Sequence, residues 1–352
     1  MPAHLYHLIA FLVSAVVVLW MTPVVKTLGL KSGRVDCPDE RKIHKRPMVR
    51  LGGISIFVGT LTAMLILWFL GGFGELPTAQ QDGIWGVVIG GIGFFAIGLA
   101  DDLFNLSPFV RLGMEVAAAI GAWSLGVRID FLSVPFDGLV HLGWFSLPIT
   151  VLWLVGMANA INWIDGLDGL AAGVSGIAAG VMLVVALFMD RPAAALIAAA
   201  LAGGLLGFLR YNFNPAQIFM GDGGSHFIGF TLAGIGAIGL VKTTAVTAVL
   251  LPYLILAVPI LDMSAVILSR LSHGKSPFLA DNRHLHHRLL NAGIPQRLTV
   301  LFIYALTLWV GSLALAFSGI PSGAAYAVGA TMLLGYASLQ VWRTTQKARS
   351  ES

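Results

Sequence analysis

Five aspartates stand at the ends of apolar runs: Asp101, Asp102, Asp165, Asp168 and Asp222. Ionisable side chains at membrane depth are costly and default to function. Asp101 and Asp102 are adjacent and repel one another without a cation or a basic partner. Asp165 and Asp168 are three apart, so on a helical turn they share a face. Each aspartate precedes an apolar run and taken singly reads as a helix N-cap. Together they exceed what capping requires and point to one shared polar site. Hard oxygen ligands, with Cys37 the lone cysteine, suit Mg2+ or Mn2+. The stretch "MGDGGS" adds Gly223 and Gly224, which permit close backbone approach to a phosphate or a metal.

The second chemical stretch is "DNRHLHHRLL", residues 281–290, with three histidines and two arginines. A zinc pair on a helix prefers a four-residue step. Here His284, His286 and His287 are one, two and three apart, and Arg283 and Arg288 flank them. Two guanidiniums oppose a divalent zinc but offer permanent, bidentate contacts to phosphate. An anion-binding role is favoured over zinc and over an idle surface cluster. A further basic segment holds Arg34, Arg41, Lys42, His44, Lys45, Arg46 and Arg50. Attraction to anionic headgroups explains most of it; its end, tight against an apolar run, could also steady a phosphate.

The elements that must position these residues are membrane spans. The chain has 352 residues, 57% of them hydrophobic and 11% charged, and its mean hydropathy is +0.86. Soluble domains average about 25% charged residues, so the class expected is an all-α, polytopic membrane protein. The net charge of +4 does not imply nucleic acid, because the basic residues cluster at span ends. The first apolar run has no basic residue before it and reads as a retained span, not a cleaved leader. Candidate spans are 5–28, 52–72, 84–100, 110–126, 148–162, 169–189, 192–209, 226–241, 245–262, 298–318 and 321–341, about eleven at roughly 20 residues each. With the first loop cytoplasmic, all Lys and Arg except Arg128, Arg191 and Lys242 fall on or near that side. The N-terminus is then outside and the tail 342–352 cytoplasmic. Residues 127–147 partly alternate apolar and polar and predict a small outside β-hairpin. No inserted soluble domain is visible, so 1–352 reads as one transmembrane domain.

Counting crossings puts the loops 30–51, 101–109, 159–168, 210–225 and 263–297 on one face. Acids for a hard metal and bases for phosphates then share that face, which is the equipment of phosphoryl transfer. One substrate would lie in the membrane. An ion-coupled transporter is the rival class, but its polar groups belong near the midplane. Mid-span acids are scarce here; Glu115 and Asp262 lie nearest the interior.

The stretches "DERKIHKRPMVRLGGI", "GLADDLFNLSP", "NAINWIDGLDGL", "NFNPAQIFMGDGGS" and "SPFLADNRHLHHRL" resemble, in order, the motifs of the polyprenyl-phosphate N-acetylhexosamine-1-phosphate transferases of glycosyltransferase family 4, in the WecA/TagO branch. Phospho-N-acetylmuramoyl-pentapeptide transferase is a more distant relative. The resemblance implies transfer of GlcNAc-1-phosphate from UDP-GlcNAc to undecaprenyl phosphate, with Mg2+, at the cytoplasmic face of a bacterial plasma membrane. It also implies a homodimer. Another UDP-hexosamine or the muramoyl-pentapeptide donor is the alternative within the same chemistry. The "HLHHR" form favours the GlcNAc-type donor.

Carried over by motif, Asp222 looks like the main metal ligand. Asp101 looks like the base at the lipid phosphate, with Asp102 supporting it or the metal. Asn162, Asp165, Asp168 and Asn212 look like nucleotide-sugar and site-organising residues. His284, His286, His287 and Arg288 look like pyrophosphate and sugar binders, and Lys42 and His44 match the first basic motif. One departure is Asn105, where many relatives carry an acid.

Overall fold

The structure, a computed structural model, describes residues 3–33, 35–36, 47–74, 76–134, 138–240, 246–274 and 283–351. Within them the chain is a bundle of helices: α1 (Ala3–Lys31), α2 (Gly53–Phe69), α3 (Thr78–Phe104), α4 (Pro108–Ser124), α5 (Ser146–Ile164), α6 (Leu170–Phe188), α7 (Pro192–Asn212), α8 (Gly221–Ile235), α9 (Val246–Ile255), α10 (Ala257–Ser272), α11 (Leu285–Asn291), α12 (Gln296–Phe317) and α13 (Gly323–Glu351). Among the described residues, seven helical segments are long and apolar enough to cross a membrane. The molecule is a helical, multi-pass membrane protein. Large apolar side chains on its outer surface, such as Trp20, Phe69 and Leu152, face where lipid tails would lie.

Two short antiparallel pairs complete the described fold. β1 (Val35–Asp36) pairs with β2 (Met48–Val49), and β3 (Phe131–Val134) pairs with β4 (Gly138–His141). The second pair is the hairpin expected near 127–147. The first matters for the site. β2 also hands the Val49 carbonyl to the Phe219 amide at 2.9 Å, and Gly52 returns its amide to the Phe219 carbonyl at 2.9 Å. Arg50 is thereby held beside the segment that leads into α8.

Helix α8 is the axis of the bundle and is packed by α3, α5 and α2. Almost every residue along it is buried. A bundle without water between its helices gains from close van der Waals contact, which small residues permit. Gly53 lies against the Gly224 backbone, Gly98 against the Asp222 carbonyl, and Gly229 against the Met157 carbonyl. A Cβ at any of the three would collide with backbone, so these glycines set the depth at which α8 sits.

Helices underlie each expected span, with two differences. α8 begins at Gly221, so Asp222 lies in the first turn of a helix rather than in a loop. The span expected at 245–262 is two helices that meet at Leu256, and α10 continues to Ser272. Pro259, in the first turn of α10, has no amide to give the Ile255 carbonyl and its ring crowds that carbonyl, which favours the break at Leu256. The C-terminal end of α3 is closed by Asn105 at φ 51° in the left-handed region, its amide bonded to the Asp101 carbonyl at 2.8 Å. Asn tolerates that conformation better than most residues. This gives the departure at position 105 a backbone role.

Candidate active site

The ends of α3, α5 and α8 converge on one acidic patch. Asp102 at the end of α3 reaches across to the start of α8. Its Oδ1 accepts from the Asp222 amide at 3.0 Å and its Oδ2 from the Gly223 amide at 2.9 Å. Met220, at the N-cap position of α8, makes no side-chain cap bond, so Asp102 supplies the cap from another helix. The position is electrostatically sound: a carboxylate is unfavourable at its own helix's C-terminus and favourable at another's N-terminus.

Asp222 presents its carboxylate from that first turn. Asn162, near the end of α5, donates to Asp222 Oδ1 at 2.8 Å and to Ser225 Oγ at 3.0 Å. Arg50 Nη2 stands 3.8 Å from the same Oδ1, at the outer limit of an ion pair. Asp165 ends α5. Its burial, reinforced by the charges of Asp222, Asp102 and Asp168, pushes it up to about 7 against the pull of Arg50.

The loop from Asp165 to Gly169 is braced on several sides. Asp168 Oδ2 accepts from Asn214 Nδ2 at 3.1 Å and from the Ala216 amide at 3.0 Å. Asn212 is buried, accepting from the Gly169 amide at 3.1 Å and donating to the Ile218 carbonyl at 2.9 Å. Tyr304 on α12 donates to the Gly169 carbonyl at 2.5 Å. Gly169 has φ 76°, a left-handed turn suited to glycine. Asp168 and Asn212 thus hold the loop that presents Asp165.

Helix α11 docks on the same loop. Asp262 of α10 binds both sides of its start: His284 Nδ1 donates to Oδ2 at 2.8 Å, and the Leu285 amide donates to Oδ1 at 2.7 Å. The His284 ring meets Trp163 edge-on at 5.9 Å and stacks on His286 at 5.7 Å. His286 is buried with Nε2 directed at Gly166, where a Cβ would collide with it. Burial, with the charges of His287 and His284, pushes His286 down to about 3, opposed by Asp262. His287 lies 4.3 Å from the His286 ring, and Arg288 is exposed.

The expected site residues therefore fall into groups. Asp102, Asn162, Asp165 and Asp222 come together, joined by Arg50. His284, His286 and His287 sit on the adjoining loop. Asp101 lies apart: its Oδ2 is 2.6 Å from Arg111 Nη1 and its Oδ1 accepts from the Leu106 amide at 2.8 Å. Both oxygens of the expected base are engaged. Lys42 and His44 lie outside the described residues. Sequence reasoning missed Arg111, Trp163 and His226, and gave Glu115 and Asp262 no role. The available signals were the four-residue steps Arg111–Glu115 and Asp222–His226, each a helical neighbour pair.

The sequence is that of a known group. The sequence profile described as "Glycosyl transferase family 4" matches residues 84–241. The chain is 38% identical over 299 residues to the "Probable undecaprenyl-phosphate N-acetylglucosaminyl 1-phosphate transferase" of Bacillus subtilis (strain 168), covering 85% of this chain and 81% of that protein. The chain belongs to glycosyl transferase family 4. It is also 36% identical to the "Decaprenyl-phosphate N-acetylglucosaminephosphotransferase" of Mycolicibacterium smegmatis, over 86% of this chain and 79% of that protein. A "Phospho-N-acetylmuramoyl-pentapeptide-transferase" of Listeria welshimeri is 33% identical, over 64% of this chain and 72% of that protein. In this family 4 glycosyl transferase the matched region holds every acid of the patch, from Asp102 to Asp222, but neither Arg50 nor Tyr304. The α11 histidines lie beyond it.

Proposed function

We propose that the protein transfers GlcNAc-1-phosphate from UDP-GlcNAc to a polyprenyl phosphate, undecaprenyl phosphate in the first instance, releasing UMP. The observation that carries this reading is the 38% identity to the Bacillus subtilis transferase along 85% of the chain. The gathering of Asp102, Asp165 and Asp222 beside Arg50 supports it.

In this reading the lipid phosphate oxygen attacks the β-phosphorus of the donor. The bond from that phosphorus to the bridging oxygen breaks, and UMP leaves with the bridging oxygen. Phosphoryl transfer asks the protein mainly for positioning and charge stabilisation. Asp222 is the ligand proposed for Mg2+, with Asp102 and Asp165 supplying charge around it. Burial, and after it the charges of Asp222, Asp102 and Asp168, raises Asp165, and so close a group of carboxylates fits a cation. Magnesium takes only one or two carboxylates, with waters and substrate phosphates for its other positions. Bound there, Mg2+ would neutralise the pyrophosphate as the bond breaks.

Asn162 orients the Asp222 carboxylate. Arg50 offers a guanidinium to a phosphate. The α11 histidines, with Arg288, face the donor's anionic and sugar groups, and Lys42 and His44 belong to the same reading. The base role expected of Asp101 would need its Arg111 pair to open. We place Asp101 instead as the anchor of the end of α3.

The reading carries a topology of about eleven crossings, with the N-terminus outside and the site cytoplasmic, in a bacterial plasma membrane. It treats the chain as one transferase domain and carries a homodimer. Purified protein given labelled UDP-GlcNAc, undecaprenyl phosphate and Mg2+ tests the activity. UMP release that needs both lipid and metal is expected. Release that ignores the lipid, or none at all, overturns it.

A further inference from the structure

A second polar cluster lies behind the acidic patch, among apolar helices. Glu115 on α4 and His226 on α8 are fully buried. His226 Nε2 is 3.0 Å from Glu115 Oε1, an ion-pair distance off the ideal hydrogen-bond angle. Glu115 Oε2 accepts from Asn159 Nδ2 at 2.6 Å. Arg111, one turn before Glu115, has Nε 3.6 Å from Glu115 Oε1 and Nη1 2.6 Å from Asp101 Oδ2. The other ring nitrogen of His226 lies 2.7 Å from the Asp222 carbonyl oxygen. A carbonyl can only accept, so Nδ1 carries the proton there.

These contacts form one line from the end of α3, through α4, to the first turn of α8. Acid and base alternate along it: Asp101, Arg111, Glu115, His226. Stability alone does not account for such a line, because well-packed hydrophobic residues in place of a buried ion pair are often neutral or stabilising. What the line does is hold one backbone carbonyl, that of Asp222. The same carbonyl is backed by Gly98, where a Cβ would collide with it. Carbonyl and carboxylate belong to one residue, so a shift in the first moves the second.

We propose that Glu115 and His226 are positioning residues for Asp222, fixing its carboxylate for the cation from behind the site. The inference rests on the assignment of Asp222 as metal ligand made above. It adds a buried acid–base pair that touches neither substrate nor metal.

The test is the paired substitution Glu115→Leu/His226→Leu. It removes both members together, leaves Arg111 its Asp101 partner, and leaves Asn159 its bond to the Val155 carbonyl. The Mg2+ concentration for half-maximal UMP release should rise about tenfold, with KM for UDP-GlcNAc changed less than about twofold. Mn2+ binding without substrate, followed by electron paramagnetic resonance, should weaken in parallel. The metal-free Tm should stay close to wild type. An unchanged metal constant overturns the inference, whether or not Tm falls. If the double variant does not accumulate, His226→Asn serves: it keeps a donor for the Asp222 carbonyl, loses the Glu115 contact, and should shift the metal constant part of the way. No shift there overturns the inference equally. A wild-type protein without lipid- and metal-dependent UMP release would instead sink the proposed function, so the two failures are distinct.

Discussion

Asp102 caps the helix that carries Asp222. The two residues are 120 positions apart, yet both oxygens of the first receive backbone amides from the first turn of α8, at 3.0 and 2.9 Å. The acid at the end of one span thus sets the direction of the acid at the start of another. Asp262 does the same for α11, accepting the Leu285 amide at 2.7 Å. The acidic side and the histidine side of the site are each oriented by a carboxylate from a different helix.

Asp102→Asn puts a donor where an amide already donates. The lost cap should cost about 1–2 kcal/mol. The displaced Asp222 should lower UMP release at least about 100-fold. Thermal unfolding and the labelled-donor assay read the two effects separately. Release near the wild-type rate would show that the cap does not orient Asp222.

Asp222→Asn should abolish transfer, whereas Asp101→Asn should only lower it by loosening the end of α3, and the two should differ in stability. Asp222 is partly exposed, so its amide variant should keep a near wild-type Tm. Asp101→Asn weakens the partner of the largely buried Arg111 and should cost about 3 kcal/mol. Equal Tm values for the two variants would argue against the Asp101–Arg111 pair as a structural anchor.

Asp262→Asn should loosen the start of α11 through its bonds to His284 and Leu285. KM for UDP-GlcNAc should rise about tenfold, while metal affinity without substrate stays unchanged. Steady-state kinetics and Mn2+ binding give the two numbers. A large loss of metal affinity would bring the histidines back as metal ligands.

His286 should remain neutral across the working pH range, because burial and its two histidine neighbours push it from 6.5 down to about 3. The unfolded chain takes up that proton near 6.5 while the folded protein refuses it. Stability therefore falls as pH drops from about 6.5 toward about 3. His286→Gln removes this contribution, so its Tm should fall less than wild type between pH 7 and pH 5. Parallel Tm curves would mean that the ring is not held neutral in the fold.

The membrane class, the helical segments, the hairpin near 127–147 and the acid set were legible because each is a local property. Transfer free energy is carried residue by residue, and a hydropathy window sums it. An acid at a span end is conspicuous for the same reason. Asn105 was visible as a departure, but its meaning was not: φ 51° at the end of α3 is a backbone fact. The start of α8 at Gly221 escaped the hydropathy reading because "GDGGS" is too polar and glycine-rich to look helical. The break at Leu256 was hidden because the apolar run continues through it.

The sequence by itself determined which residues are available for chemistry and that they gather at span ends. Only the tertiary structure decided what each acid does: Asp101 is occupied by Arg111, Asp102 and Asp262 cap other helices, Asp168 braces a loop, and Asp222 is presented toward the patch. The physical reason is that a carboxylate's role depends on which donors reach its oxygens. Those donors come from helices distant in the chain, brought to contact by the glycine approaches that seat α8. Glu115 and His226 are the clearest case: 111 residues separate two side chains that meet at 3.0 Å.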